Sequence, residues 1–310
     1  MMLTGGAGSF FKNVLKMYFN CMGSVVLYQC VKKIIIGRPG SGCPRHFRKG
    51  LIPMKNYFDL KDQVAIVTGC STGLGVQMAK ALANQGANIV VVARRQELID
   101  QVAKEIADEF GVKTLPVKCD ITDTEAVESM VDKALEEFGR IDILINNAGT
   151  GAVAPAEDIT DEQFANEMNI DMFGSFKCAR AVAKKAMIPA KYGRIINIAS
   201  MYGLVGNKVA PAAPYHAAKG GVVNMTRALA AEWGKHDINV NAICPGYFYT
   251  PLTKETLDSE FFQQNARTMI PKERYGNEGE LDTAVIFLAS PANSYVTGVM
   301  LPVDGGYTCL

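Results

Sequence analysis

Tyr215 and Lys219 stand four residues apart in Pro-Tyr-His-Ala-Ala-Lys-Gly. On a helix that spacing brings a phenol and an ammonium to one face, one turn apart. The ammonium would favour the phenolate and draw the tyrosine below its ordinary pKa of about 10. A tyrosine in that state can give a proton to a carbonyl oxygen or take one from an alcohol. The same spacing also suits a surface cation–π contact or a packing pair. What separates the readings is the sequence upstream.

There, Val64-Ala65-Ile66-Val67-Thr68 runs into Gly69-Cys70-Ser71-Thr72-Gly73-Leu74-Gly75. The apolar run reads as a buried parallel strand, and the glycines lead into an amphipathic helix. Glycines at such a junction let a pyrophosphate approach amide groups at the positive helix end. The spacing is not Gly-x-Gly-x-x-Gly, and a Gly-rich turn can be a simple connector. The strand before it and the helix after it supply the context of a nucleotide site.

Further motifs follow in one order: Asp120, Asn146-Asn147-Ala148-Gly149, Ser200 ahead of Tyr215 and Lys219, Pro245-Gly246 with Thr250, and Asp304-Gly305-Gly306. On these residues the chain resembles the short-chain dehydrogenase/reductase family from about Phe58 to Leu310. The segments Ser200-Met201-Tyr202-Gly203-Leu204-Val205-Gly206-Asn207 and Tyr215-His216-Ala217-Ala218-Lys219-Gly220 look most like its gluconate 5-dehydrogenase branch. Two alternatives share most of the scaffold: 2-dehydro-3-deoxy-gluconate 5-dehydrogenases and 3-oxoacyl-carrier reductases. A nucleotide-binding module without turnover is the non-enzymatic alternative.

The resemblance implies hydride transfer between a nicotinamide cofactor and a hydroxy or keto sugar acid. It assigns Ser200 to the substrate oxygen, Tyr215 to proton transfer, and Lys219 to the phenolate and the nicotinamide ribose. The family usually has Asn three residues before Gly174, holding a water relay to the lysine. This chain has Asp171 there, which can accept hydrogen bonds but donates none when ionised. Asn169 is the alternative relay residue. For the cofactor, the resemblance assigns Gly69, Ser71, Thr72, Gly73, Leu74, Asp120, Asn147, Gly149, Pro245, Gly246 and Thr250, together with Tyr215 and Lys219. Asp120 and the Asn-Asn-Ala-Gly stretch would otherwise read as a helix or turn cap and a tight turn.

An NAD enzyme of this type usually carries a carboxylate at the end of the second strand. Ala93 stands there, followed by Arg94 and Arg95. A guanidinium suits the 2′-phosphate of NADP, so NADP(H) is expected ahead of NAD(H), carried mainly by Arg94. The alternative leaves one arginine solvated and pairs the other with an acid such as Glu97.

From residue 63 onward, strand-like runs at 63–68, 88–93, 113–118, 141–146, 192–199, 238–243 and 298–302 alternate with helical patterns. Those helices read as 73–85, 96–110, 123–138, 161–190 either continuous or with one break, 212–234 and 278–289. The rhythm predicts an α/β fold: one Rossmann-like, doubly wound domain over 58–310 with a seven-stranded parallel sheet. Thr122-Asp123-Thr124-Glu125 and Thr160-Asp161-Glu162 read as helix starts. Residues 251–276 have no companion strand and read as a substrate lid.

Substrate contacts are expected from Thr150-Gly151, Met201-Tyr202, Lys208, His216, Pro245-Gly246-Tyr247, Thr250 and the segment to Arg274. The alternative packs Tyr202 and Tyr247 in the loop and leaves Lys208 solvated. Met225, Leu229 and Trp233 form an i, i+4, i+8 stripe that fits either a twin helix or the protein's own sheet. With the resemblance, the stripe suggests a homotetramer.

The 310-residue chain has 48% hydrophobic and 20% charged residues, as an ordinary globular protein does. Its net charge of +1 conceals a division, because residues 1–57 hold nine Lys or Arg and no acid. The remainder, with 23 basic and 31 acidic residues, carries −8 and argues against nucleic acid as a partner. Eight cysteines without metal-like spacing, and His46, His216 and His236, make no metal site. They fit free thiols in a reducing compartment, the cytoplasm. Residues 1–57 are too interrupted by polar residues for an integral membrane segment. A signal-peptide core or a basic helix on a membrane surface stays open there; the expectation is a poorly ordered or non-native extension.

Overall fold

All five residues of strand β1 (Val64–Thr68) are buried, because helices cover both faces of the sheet it belongs to. The structure is a computed structural model that describes residues 56–310 apart from 152, 209, 210 and 252. The expectations for the basic segment through residue 55, and for Val209-Ala210 in the longer interval before Tyr215, lie outside the described residues. After β1 come α1 (Leu74–Asn84), β2 (Asn88–Ala93), α2 (Gln96–Phe110), β3 (Thr114–Lys118), α3 (Thr124–Phe138) and β4 (Ile143–Asn146). The second half holds α4 (Asp161–Met168), α5 (Ser175–Val182), α6 (Ile188–Ala190), β5 (Gly193–Ile198), α7 (Ala213–Trp233) and β6 (Ile238–Pro245). It closes with α8 (Lys254–Asp258), α9 (Glu260–Met269), α10 (Asp282–Ala289) and β7 (Met300–Val303).

The seven strands pair in the order β3-β2-β1-β4-β5-β6-β7, every pair parallel. Val67 of β1 lies opposite both Val91 of β2 and Ile145 of β4. Side chains alternate between the faces. Ala65 and Val67 join Met78 and Leu82 of α1, Ile99 and Ile106 of α2, and Val285 and Leu288 of α10. Val64 and Ile66 join Val127 and Val131 of α3, Val182 of α5 and Leu229 of α7. The order reverses between β1 and β4, which places the ligand crevice of a doubly wound sheet beyond Thr68 and Asn146.

Helix starts follow local chemistry. Asp123 accepts from the amides of Glu125 (2.8 Å) and Ala126 (3.3 Å), and Thr160 makes a reciprocal capping box with Gln163. One helix boundary needs correction, and the open point of a break within 161–190 is decided. The 161–190 helix does not break; π-helical turns at Asn169–Gly174 and Ala183–Met187 carry α4 through α5 into α6. The last long helix starts at Asp282 rather than 278, because Gly279 has φ +86° and the Glu280 carboxylate is engaged by Arg274 and the Asn277 amide. Residues 251–276, which have no companion strand, hold α8 and α9 over a small apolar cluster of Leu257, Phe262 and Ile270. Leu229 is buried in the core on one face of the protein's own sheet, and Met225 and Trp233 pack partly buried against it.

Asp123→Ala removes both side-chain bonds at the start of α3 and leaves two amides to water. The expected loss is about 1 kcal/mol of stability, read as a lower urea midpoint at unchanged slope. An unchanged midpoint would show that the cap contributes nothing.

Candidate active site

Beyond the ends of β1 and β4 the backbone crowds. Gly69 (φ +65°) and Gly73 (φ +64°) both lie in the left-handed region. A Cβ at Gly69 would stand 2.7 Å from Ala148 Cα, and one at Gly75 would stand 2.5 Å from the Gly69 carbonyl oxygen. Glycine is therefore required for the turn to sit under α1, whose first amides receive no side-chain cap. Thr68 ties the turn to β4: its hydroxyl donates to Ile145 O (3.2 Å) and accepts from the amides of Asn147 (3.0 Å) and Ala148 (3.1 Å). Asn147 Nδ2 returns the brace to Thr68 O at 2.9 Å.

These segments enclose a cavity of about 670 Å³. The glycine turn lines it with Gly69, Ser71, Thr72, Gly73 and Leu74; Asn147 and Gly149 form the next wall. Pro245 at the end of β6, with Gly246 and Thr250 beyond it, lines the next part, and Ser200, Tyr215 and Lys219 line the far end. Arg94, Arg95 and Asp120 line the end beyond β2 and β3. Asp120 also does the work of a turn cap, since its Oδ1 accepts from the Thr122 amide and hydroxyl. Those bonds, the amide first, hold its carboxyl below the usual value, with Arg94 assisting.

Arg95 does not pair with Glu97. Its Nη2 donates to Ser71 Oγ at 2.9 Å, which spans the mouth of the cavity. Arg94 is exposed and has no hydrogen bond or ion pair among the described residues. Lys208 is exposed, as the solvated alternative had it.

Lys219, almost fully buried, donates from Nζ to Ile198 O at 3.1 Å and lies 3.3 Å from Asp171 Oδ2. Asp171, not Asn169, meets the lysine. The π-helical turn Asn169–Gly174 carries Asp171 inward, and its Oδ1 accepts from the Thr150 amide at 2.8 Å. A Cβ on Gly149 would press on Asp171 Oδ1 at 3.0 Å and on Lys219 Nζ at 3.3 Å. Burial works against the ammonium, but Asp171, Tyr215 and Glu167 together outweigh it and hold the Lys219 pKa above its ordinary value.

Lys219 Nζ is 5.5 Å from the centre of the Tyr215 ring, and Tyr215 shares a side-chain hydrogen bond with Ser200. Ser200 Oγ also accepts from the Tyr202 amide at 3.1 Å, which fixes the oxygen. The phenol is not drawn below its ordinary pKa. Burial pushes it up most strongly; Lys219 and Ser200 oppose, and Asp171 adds to the rise. The i, i+4 spacing revealed the ammonium but not the carboxylates behind it.

Beside Tyr215 lies a group of rings that the sequence did not assemble. Tyr202 stands edge-on to Tyr215 (6.4 Å) and stacks on His216 (4.5 Å). Its hydroxyl bonds to Tyr247 Oη (2.5 Å) and accepts from Asn207 Nδ2 (2.5 Å), and Tyr307 approaches both rings. Tyr202 and Tyr247 thus pack the loop, as the alternative reading had it. Tyr307 and Glu167 went unseen; the only signal for Glu167 was its place four residues before Asp171. Among the described residues no His, Cys, Asp and Glu cluster could hold a metal, and no helix is long and apolar enough to cross a membrane. Cys70, Cys119, Cys178, Cys244 and Cys309 are free thiols.

A family model described as enoyl-(acyl carrier protein) reductase matches residues 69–308. The 2-dehydro-3-deoxy-D-gluconate 5-dehydrogenase of Escherichia coli (strain K12) is 38% identical over 252 residues, covering 81% of this chain and 97% of its own. The gluconate 5-dehydrogenase of Gluconobacter oxydans (strain 621H) is 38% identical over 251 residues, covering 81% and 96%. The crystal structure of a gluconate 5-dehydrogenase from Burkholderia cenocepacia J2315, in complex with NADP and tartrate, aligns with TM-score 0.78. It is 35% identical, with 82% of this chain and 98% of that one covered. The chain belongs to the short-chain dehydrogenase/reductase family and is an oxidoreductase.

Thr68→Val keeps the shape of the side chain but strands the amides of Asn147 and Ala148. The expected cost is about 1–3 kcal/mol in chemical denaturation. Wild-type stability would show that the turn does not depend on this hydroxyl.

Proposed function

We propose that the protein transfers hydride between NADP(H) and a carbonyl or alcohol of a hydroxylated acid of the gluconate class, with 5-keto-gluconate and gluconate as the first pair. The observation that carries the reading is Tyr215 joined to Ser200 and backed by Lys219 at one end of the cavity, with Arg94 and Arg95 at the other. The residues fit a nicotinamide dinucleotide. Two left-handed glycines and the uncapped start of α1 suit its pyrophosphate, and no carboxylate closes β2. Asn147 and Gly149, with Pro245, Gly246 and Thr250, would flank it, and Asp120 would meet the adenine amine.

When bound, the nicotinamide supplies or accepts the hydride. In reduction, Ser200 donates a hydrogen bond to the carbonyl oxygen, where negative charge grows. Tyr215 gives that oxygen its hydroxyl proton and is left as a phenolate, which the Lys219 ammonium stabilises. In oxidation Tyr215 takes the alcohol proton back. Asp171 holds Lys219 in place.

For the substrate, Thr150 and Ser200 line the cavity together with Tyr215, and their hydroxyls suit a hydroxylated ligand. The named relatives point the same way. The segment 251–276 would close over the ligand, and we read the assembly as a homotetramer in the cytoplasm. The 2-dehydro-3-deoxy-gluconate reading shares every residue invoked here and is separated from the first by substrate alone.

Steady-state reduction with both nicotinamides should favour 5-keto-gluconate or the 2-dehydro-3-deoxy substrate over an acetoacetyl thioester. A preference for the thioester would move the assignment to the acyl-carrier branch. Tyr215→Phe should keep its fold and NADPH binding while losing nearly all turnover; near-wild-type turnover would remove Tyr215 from the mechanism. For the cofactor, a charged donor on phosphate should contribute roughly 1.5–3 kcal/mol, at least about tenfold in affinity. Arg94→Ala should therefore weaken NADPH far more than NADH. Equal affinities in the wild type, or a selective loss only at Arg95, would overturn that assignment.

A further inference from the structure

Lys219 faces more than one acid. Asp171 is fully buried, and Glu167, four residues earlier on the same continuous helix, is 2% exposed. Asp171 Oδ2 has no hydrogen bond and lies 3.3 Å from Lys219 Nζ, while Oδ1 is fixed by the Thr150 amide. The Asp171 peptide oxygen accepts from Ser175 Oγ at 3.0 Å, so the residue is held at both ends. A pair this far from water is little screened by salt. Its negative partner cancels part of the field with which the ammonium would favour a phenolate.

We propose that Asp171, seconded by Glu167, is a positioning residue that keeps Tyr215 in its proton-bearing form at neutral pH, so that carbonyl reduction runs there and alcohol oxidation needs more alkaline conditions. The inference rests on Tyr215 as the proton-transfer group.

The groups facing Tyr215 are few and can be named. From its own helix comes Lys219; from the helix behind come Asp171 and Glu167; from the end of β5 comes Ser200. Tyr202 stands edge-on, with His216 stacked upon it. Cys244, on β6, faces Lys219 and is pushed up to about 11, chiefly by burial; Tyr202 is pushed up by burial as well, so neither is ionised at neutral pH. Burial and the two carboxylates raise the phenol, and Lys219 and Ser200 pull it down. Asparagine at 171 would keep the acceptor for the Thr150 amide and delete only the charge.

The test is the pH dependence of kcat in both directions for wild type, Asp171→Asn, Glu167→Gln and Tyr215→Phe. Asp171→Asn should move the oxidative limb toward acid by about one pH unit and cut reduction at the alkaline end correspondingly. Glu167→Gln should move it the same way by less. An active Asp171→Asn enzyme with both limbs in the wild-type position overturns the inference, because a purely structural role changes rate without moving the limb. If Asp171→Asn fails to fold, judged by circular dichroism and NADPH fluorescence, the Glu167→Gln limb decides: an acid shift supports the inference and an unmoved limb overturns it. Turnover by Tyr215→Phe would instead strike the underlying assignment.

Discussion

An ammonium buried to the extent of Lys219 must be compensated or it would give up its proton, and the site is arranged around that requirement. Ile198 O and Asp171 Oδ2 supply the compensation, at 3.1 Å and 3.3 Å. Each contact makes a further demand on the fold. Ile198 is the last residue of β5, so the ammonium is tied to the edge of the crevice. Asp171 reaches the lysine from within a π-helical turn, and glycine at 149 leaves the pair undisturbed where a Cβ would press on both partners. A strand end, an irregular helical turn and a glycine are thus fixed by one charge.

The sheet was legible because it is parallel and covered on both faces. Runs such as Asn88–Ala93 and Ile238–Pro245 are apolar through most of their length and are bounded by turn residues, so their positions follow from composition alone. The elements that the sequence left open depend on contacts distant in sequence or on local irregularity. Nothing in Asn169–Gly174 announces a π-turn; propensity favours an ordinary helix or a break. Helices α8 and α9 close over Phe262 and Ile270 against Tyr247 and Tyr307, a cluster drawn from separate parts of the chain. A local hydrophobic period cannot report such a cluster.

The site divides along the same line. Gly69, Gly73, Ser200, Tyr215 and Lys219 were visible because their spacing is a property of one chain segment, or of a motif carried at a strand end. The electrostatic balance was not visible, because it sums over segments. Lys219 alone would lower the Tyr215 pKa; desolvation and Asp171 reverse the sign. Arg95 shows the same effect. Glu97 is its near neighbour in sequence, yet its partner is Ser71, brought close by the parallel pairing of β1 with β2.

The rings packed beside Tyr215 extend this logic to side chains that support the cavity. Tyr202 follows β5, Tyr247 follows β6, Phe262 lies on α9 and Tyr307 stands near the end of the chain. Tyr247 packs on Phe262 at 4.7 Å and bonds through its hydroxyl to Tyr202, which in turn meets Tyr215 edge-on. A tyrosine suits each junction, since its ring fills apolar space while its hydroxyl needs a partner at the same depth. Burial raises the pKa of both Tyr202 and Tyr247, so the hydroxyl pair stays neutral and can exchange donor and acceptor roles without adding charge beside Tyr215. The acids therefore lie behind Tyr215 and the neutral hydroxyls beside it, so charge and shape are supplied from different sides of the same phenol.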